Sequence, residues 1–305
     1  MVPDATHAGQ NAQRNIKGRK LLLSIVLNLA ITVAQFVGGL LSGSLSLLSD
    51  ALHNLSDVIS LLISYFADRF SQKSASVTKT FGYKRAEIFA AFINSATLII
   101  VAVYLIYIAI IRFTQPQIIE SDLVIWLALL GILFNGFSVA LLYKEAKSNM
   151  NMRSAYVHLM SDTAASVAVL IGGILMKYFQ WFWVDSVLTV MIGLYLLIVG
   201  YGLLKTSFRV LMLFTPEELS LEKITKSVDR FPEIKNIHHI HIWEVNEEEV
   251  HLEAHMEFYK NISISEFNII LEKVEIMLNE EFGINHITIQ PEFEKDDPKD
   301  LIVQD

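Results

Sequence analysis

Cysteine is absent from all 305 residues. That removes disulfide frameworks, zinc fingers and iron–sulfur clusters, and leaves His, Asp, Glu and backbone oxygen as the only metal donors. A His-Glu-x-x-His run is also missing, and with it the usual zinc-hydrolase arrangement of two ligands and a general base. The opening stretch stays polar through Lys20, so no apolar segment follows a basic start and no cleaved signal is expected. Basic charge is scarce at the other end. From Thr215 onward there are 22 acidic against 8 basic residues, a balance of −14, while the first 214 residues carry 16 basic and 10 acidic, or +6, making the total −8. Such an acidic tail is a poor partner for nucleic acid.

What the chain has in quantity is apolar surface: 53% hydrophobic residues and a mean hydropathy of +0.44, distributed over several long runs. Runs of about 20 residues predict six membrane spans, near Lys20 to Leu41, Leu45 to Phe66, Arg85 to Phe113, Leu123 to Tyr143, Ser154 to Phe179 and Val184 to Lys205. Lys and Arg gather before the first span and in the loops after the second and fourth, whereas the opposite loops hold little beyond Arg112 and Lys177. The positive-inside rule then puts both termini in the cytoplasm. Around Gly38-Gly39-Leu-Leu-Ser-Gly43 the first two spans meet, through either a tight turn or close backbone approach. Beyond Pro216 the periodicity reads helix, strand, strand, helix, strand. The expected fold is a polytopic α-helical membrane protein with six transmembrane helices plus a small cytoplasmic α+β domain of αββαβ order. Its expected parts are a cytoplasmic tail (1–19), a six-helix domain (20–214), the α+β domain (215–293) and a disordered tail (294–305).

Two copies of one spacing stand inside these apolar runs: His53-x-x-x-Asp57 and His158-x-x-x-Asp162. Each ionisable residue at membrane depth costs roughly 2.5 to 3.5 kcal/mol, so four of them require a reason. At i and i+4 the imidazole and carboxylate share one helix face, and two such helices packed together offer two nitrogens and two oxygens to a common point. That donor set suits tetrahedral zinc, whose charge cancels the two aspartates. The competing reading, helix–helix hydrogen bonding without metal, needs no charge, and Asn or Ser would serve it. Neutral imidazole is required for ligation, so metal exchange is linked to protons. Asp50 either guides ions or hydrogen-bonds the first span through Asn28 or Gln35. Gln35, Asn94 and Asn135 read as contacts within the bundle, and Asp185 as an interfacial helix start.

Six of the nine histidines lie beyond residue 215: His238, His239, His241, His251, His255 and His286. Strict strand alternation puts His238 on the face opposite His239 and His241. On the next strand Leu252, Ala254, Met256 and Phe258 face one way and His251, Glu253, His255 and Glu257 the other.

Four segments resemble the cation diffusion facilitators, specifically their zinc-exporting branch: Ser49-Asp-Ala-Leu-His53-Asn-Leu-Ser-Asp57, Phe81-Gly-Tyr-Lys-Arg-Ala-Glu-Ile88, Asn151-Met-Arg-Ser-Ala-Tyr-Val-His158-Leu-Met-Ser-Asp162 and His238-His-Ile-His-Ile-Trp243. The resemblance runs in order over nearly the whole chain. It implies a Y-shaped homodimer with a metallochaperone-like cytoplasmic domain, working as a zinc/proton antiporter that exports Zn²⁺ from a bacterial inner membrane. Imidazole and carboxylate also bind Cd²⁺, Co²⁺ and Ni²⁺, so these are the alternative or further cargo. It implies His53, Asp57, His158 and Asp162 as the transport site, with His at position 53 favouring zinc over cadmium. It also implies His238 and His255 as regulatory zinc ligands, with His286 and Glu292 as further ones, and zinc drawing two such domains together. No cofactor is expected beyond zinc itself. The alternative is a membrane sensor that binds zinc without moving it. Two features of some relatives are missing: Lys144 to Arg153 contains no His, and the loop after the second span has Asp68 but no His, so no metal site is expected there.

Overall fold

The computed structural model describes residues 26–71, 76–143, 147, 150–246 and 249–303, with side chains described outside 60–71, 150–152, 154 and 155. The expected tail 1–19 and the start of the first span fall outside the described residues. The chain divides into two compact units, Met1–Ile63 with Ile93–Gly202, and Ser64–Phe92 with Leu203–Asp305.

The first unit is built from six helices: α1 (Val26–Ser42), α2 (Leu45–Ser71), α3 (Ala86–Thr114), α4 (Ser121–Leu142), α5 (Met150–Phe179) and α6 (Trp183–Leu211), of which α2, α3 and α6 run on into the second. The whole of α3, α4 and α6 and the Tyr156–Phe179 part of α5 are long and apolar enough to cross a membrane. Two of the expected six spans fall short on that criterion, for different reasons. Only 17 residues of α1 are described, and α2 carries Asp50, His53, Asn54, Ser56 and Asp57 in close succession. α3 and α6 leave Ile100, Tyr104, Ile110, Met191, Ile198 and Leu203 exposed, a breadth of apolar surface that water does not tolerate and hydrocarbon does.

α1 and α2 form a hairpin whose turn is Gly43, at φ +74°, where a side chain would meet its own backbone. Just before it, a Cβ on Gly39 would sit 3.0 Å from the Leu48 backbone nitrogen, so the bare glycine lets the two helices touch. The pair thus uses both readings of this glycine run. The start of α2 is held from far along the chain. Asp185, at the head of α6, accepts hydrogen bonds from Ser44 Oγ (2.6 Å), Leu45 N (2.8 Å), Ser46 Oγ (2.6 Å) and Ser46 N (3.2 Å). It stands in the first turn of α6, as its sequence position suggests, and is buried. A carboxylate there satisfies otherwise orphaned N–H groups and meets the positive end of the helix dipole.

In the second unit the order α7 (Leu221–Val228), β1 (Ile234–Asn246), β2 (Glu249–Phe258), α8 (Ile264–Phe282), β3 (His286–Glu292) matches the expected αββαβ. β1 and β2 pair antiparallel, and β2 and β3 pair in parallel with α8 as the crossover. α8 starts in a reciprocal cap between Ser263 and Glu266 and stops at Gly283 in the left-handed conformation. Its buried stripe Ile270, Val274 and Leu278, four residues apart, packs on Leu252, Ala254, Met256 and Phe258 of β2.

The alternation predicted for β1 breaks. His238 pairs with His255 but His241 with Glu253, so three steps on β1 match two on β2. The extra residue is His239, at φ +50°. This bulge puts Ile237, Ile240 and Ile242 together in the core, and leaves His238 and His241 on the same face, which corrects the sequence expectation. The tail expected to be disordered is described to residue 303 and lies along the bulge: Asp300 O and Leu301 O accept from His239 N (3.1 Å) and Ile240 N (2.9 Å).

Replacing Asp185 with Ala should lower stability by about 2 kcal/mol or more, because it removes a cap and strands buried donors. Asp185→Asn, which keeps one acceptor, should cost less. Thermal melting of the detergent-solubilised protein measures both.

Candidate metal centres

His53 and Asp57 lie one turn apart on α2, and His158 and Asp162 one turn apart on α5, and the structure brings all four together. His53 Nε2 is 3.6 Å from Asp57 Oδ2 and 3.8 Å from Asp162 Oδ1, while His158 Nε2 is 3.3 Å from Asp57 Oδ2 and 3.6 Å from Asp162 Oδ2. An ion holding tetrahedral ligands at about 2.0–2.1 Å spaces them about 3.3–3.4 Å apart. The His158–Asp57 separation already has that value, and the other three need to close by a few tenths of an ångström. His53, His158 and Asp162 have donor atoms all within 4.8 Å of one another, whereas Asp57 reaches both imidazoles but must move toward Asp162 to complete a tetrahedron. Hydrogen bonding does not account for the arrangement: His53 Nδ1, Asp57 Oδ2 and both Asp162 oxygens are buried without a hydrogen-bond partner. Unpaired buried carboxylate oxygens are costly, and a divalent cation is the partner this donor set fits. His53 and Asp162 are buried, whereas the Asp57 and His158 side chains are 33% and 36% exposed and form the open side of the cluster.

Around the cluster, Asp50 accepts from Gln35 Nε2 at 2.9 Å, so of its two readings the contact with the first span is the one seen. Asn94 Nδ2 donates to Ser56 Oγ at 3.1 Å, as expected of a bundle contact. Asn135 does not behave that way: it is buried with neither amide atom bonded, and so are Asn54 and the hydroxyls of Ser138 and Ser166. Tyr195 of α6 places its ring edge-on to His53, with centroids 5.6 Å apart. Nothing in the sequence signals it, because its only relation to the cluster is tertiary.

The second unit holds a separate cluster, His238, His255, Glu292 and Asp297, whose donor atoms lie within 4.8 Å of one another. His286 does not join it. Parallel register sets His286 opposite His251 and Gln290 opposite His255, and the His286 ring lies 4.2 Å from that of His251. Asp297, from the tail, takes the fourth place, and sequence reasoning missed it because the tail was expected to be loose. His241 is exposed outside the cluster.

A chain of hydrogen bonds fixes the His238 ring. Asn236 Nδ2 donates to Glu257 Oε2 at 2.7 Å, so its Oδ1 accepts from His238 Nδ1 at 2.7 Å. Nδ1 therefore carries the proton and Nε2 presents its lone pair, the arrangement typical of a metal-ligating histidine. Burial and the Lys299 ammonium push the His238 pKa down, which keeps it neutral. Nε2 looks onto Glu292 Oε2 at 3.2 Å, and His255 Nδ1 is 3.0 Å from Glu292 Oε1 without hydrogen-bond alignment. Although burial favours a neutral Glu292, hydrogen bonds from Lys295 and Lys299 hold its pKa below the usual value.

Asn236→Ala should leave the His238 Nδ1–H buried and unpaired, at a cost of about 1–3 kcal/mol. The expected readout is faster amide exchange in β1 of the intact protein, with exchange in α4 unchanged.

Comparison with known proteins identifies the family. Residues 21–212 match the cation efflux transmembrane domain and residues 216–294 the cation efflux protein cytoplasmic domain. The chain is 36% identical over 288 residues to the cadmium, cobalt and zinc/H(+)-K(+) antiporter of Bacillus subtilis, covering 94% of this chain and 92% of that one. It is 35% identical over 272 residues to the metal cation efflux system protein CzcD of Cupriavidus metallidurans (89% and 85%), and 30% identical over 296 residues to the zinc transporter ZitB of Escherichia coli (96% and 93%). With both domains matched in order, and with the motif resemblance borne out, the chain belongs to the cation efflux family, the cation diffusion facilitators.

Proposed function

We propose that this protein exports Zn²⁺ from the cytoplasm in exchange for protons, with Cd²⁺ and Co²⁺ as further cargo. The observation that carries the reading is the cluster on α2 and α5: two imidazoles and two carboxylates, each imidazole 3.3–3.8 Å from both carboxylates, with buried oxygens that accept no hydrogen bond. His53, Asp57, His158 and Asp162 are its cargo ligands. All four are consumed by ligation, leaving no open position for a reacting water, which argues for a carrier and against a hydrolase. The relatives' names as transporter, antiporter and efflux protein support the same direction.

The cycle follows from the ligands. Cytoplasmic Zn²⁺ displaces protons from the cluster, and protons from the far side displace Zn²⁺ after the helices shift. Moving the ion out against an inside-negative potential costs about 4.6 kcal/mol per 100 mV; one entering proton offsets half of that and two make the cycle electroneutral. In this reading α1 and α2 complete a set of six spans, both termini face the cytoplasm of a bacterial inner membrane, and the protein works as a homodimer. The cluster of His238, His255, Glu292 and Asp297 is a regulatory divalent-metal site in the C-terminal domain, supported by its donor chemistry and by the fixed tautomer of His238.

Reconstituted into liposomes, the wild type should show zinc-dependent proton flux. Asp162→Ala should fall to the background of empty liposomes while still eluting as folded protein, and His53→Asp should carry Cd²⁺ better relative to Zn²⁺. Normal flux in Asp162→Ala would rule out the assignment of this cluster as the cargo site.

A further inference from the structure

The C-terminal cluster contains a feature that its metal chemistry does not explain. Two lysines from the segment after β3 reach into it. Lys299 Nζ donates to Glu292 Oε2 at 2.9 Å, lies 3.3 Å from His238 Nε2 and also pairs with Asp297. Lys295 Nζ lies 2.5 Å from Glu292 Oε1 and 3.0 Å from Asp297 Oδ2. We infer that Lys295 and Lys299 are a resident counter-cation, which a divalent metal must displace before His238, His255, Glu292 and Asp297 can bind it.

The argument begins with His238 Nε2 and Glu292 Oε2. One presents a lone pair and the other a negative oxygen, 3.2 Å apart, and both are buried. Two acceptors that close repel unless a cation stands by them, and the Lys299 ammonium does so, within reach of both. A metal ligated by the same two atoms would need the same space and carry charge of the same sign, so ammonium and metal exclude each other. The charge count agrees: two carboxylates against two ammoniums give zero, and two carboxylates against one divalent ion give zero again. The buried Glu292 is therefore compensated in both forms, avoiding the large penalty of an unpaired buried charge.

The exchange needs no refolding of the tail. Asp300 and Leu301 are tied to the β1 bulge through their carbonyls, and Asp297 between the lysines is itself a donor to the cluster. The lysine side chains are already 45% and 29% exposed, and their flexible stems can swing into water while the backbone stays anchored. Metal affinity here is then a difference between two occupants, which raises the concentration at which the site fills.

This inference rests on the reading of the cluster as a metal site, and one experiment separates the two. Amine acetylation of the intact wild-type protein in detergent, followed by mass spectrometry, is compared with and without Zn²⁺, and bound zinc is counted for wild type and His255→Ala. The expected result is that Zn²⁺ makes Lys295 and Lys299 react several-fold faster, with Lys235, paired to Glu257, as the unchanged reference, and that His255→Ala loses both this response and one zinc per chain. If His255→Ala loses a zinc but the wild-type lysines react equally with and without Zn²⁺, the counter-cation role is overturned and the metal site stands. If the zinc count is unchanged in His255→Ala, the site reading falls and the inference with it.

Discussion

A negative oxygen taken out of water must be given a positive partner, and much of this molecule can be derived from that requirement. Asp162 is buried among apolar helices with both oxygens unpaired, Asp185 is buried against the start of α2, and Glu292 is buried beneath the tail. The three carboxylates find three kinds of partner. For Asp185 it is a row of backbone and hydroxyl donors at a helix N-terminus, a fixed solution that builds structure. Glu292 has two mobile ammoniums, a solution that can be exchanged. Asp162 has only the imidazoles of His53 and His158 at 3.6–3.8 Å and no hydrogen bond, which is what a cation in the proposed site would make good.

The two clusters use one donor set in different frames. Two imidazoles and two carboxylates come from two helices in one case, and from three strands plus a tail in the other. On the helices the donors are spaced by the helical repeat, so each pair is set by local geometry and only the packing of α2 on α5 is tertiary. In the C-terminal domain the strands supply His238, His255 and Glu292, and the fourth donor depends on where a stretch without regular structure lies down. Rigid spacing suits a site that must present the same geometry to each ion it passes. A site completed by a tail segment suits one that reports a concentration.

The same distinction explains what the sequence made legible. The His-x-x-x-Asp pairs could be read directly because a period of four residues is enough to put two side chains on one helix face. The αββαβ order was legible because alternation and turn residues are local too. His239 defeated the strand argument: one residue with positive φ shifts the frame, and every face assignment on β1 beyond it reverses. His286 was misplaced because parallel register depends on how far α8 carries the chain back, which no pattern in β3 reveals. Asp297 and the two lysines looked like an ordinary polar terminus, and Asp185 like a helix start for α6, since the helix it caps begins 140 residues earlier.

That cap also has a mechanical consequence. Four hydrogen bonds to Asp185 hold the start of α2, so a tilt of this helix would have its pivot there. His53 lies eight residues from Leu45 and Asp57 twelve, or about 12 Å and 18 Å along the axis. Any tilt of α2 about its pinned start therefore moves Asp57 half as far again as His53. Asp57 is also the carboxylate on the open side of the cluster, so the donor with the longest arm is the more exposed of the two carboxylates.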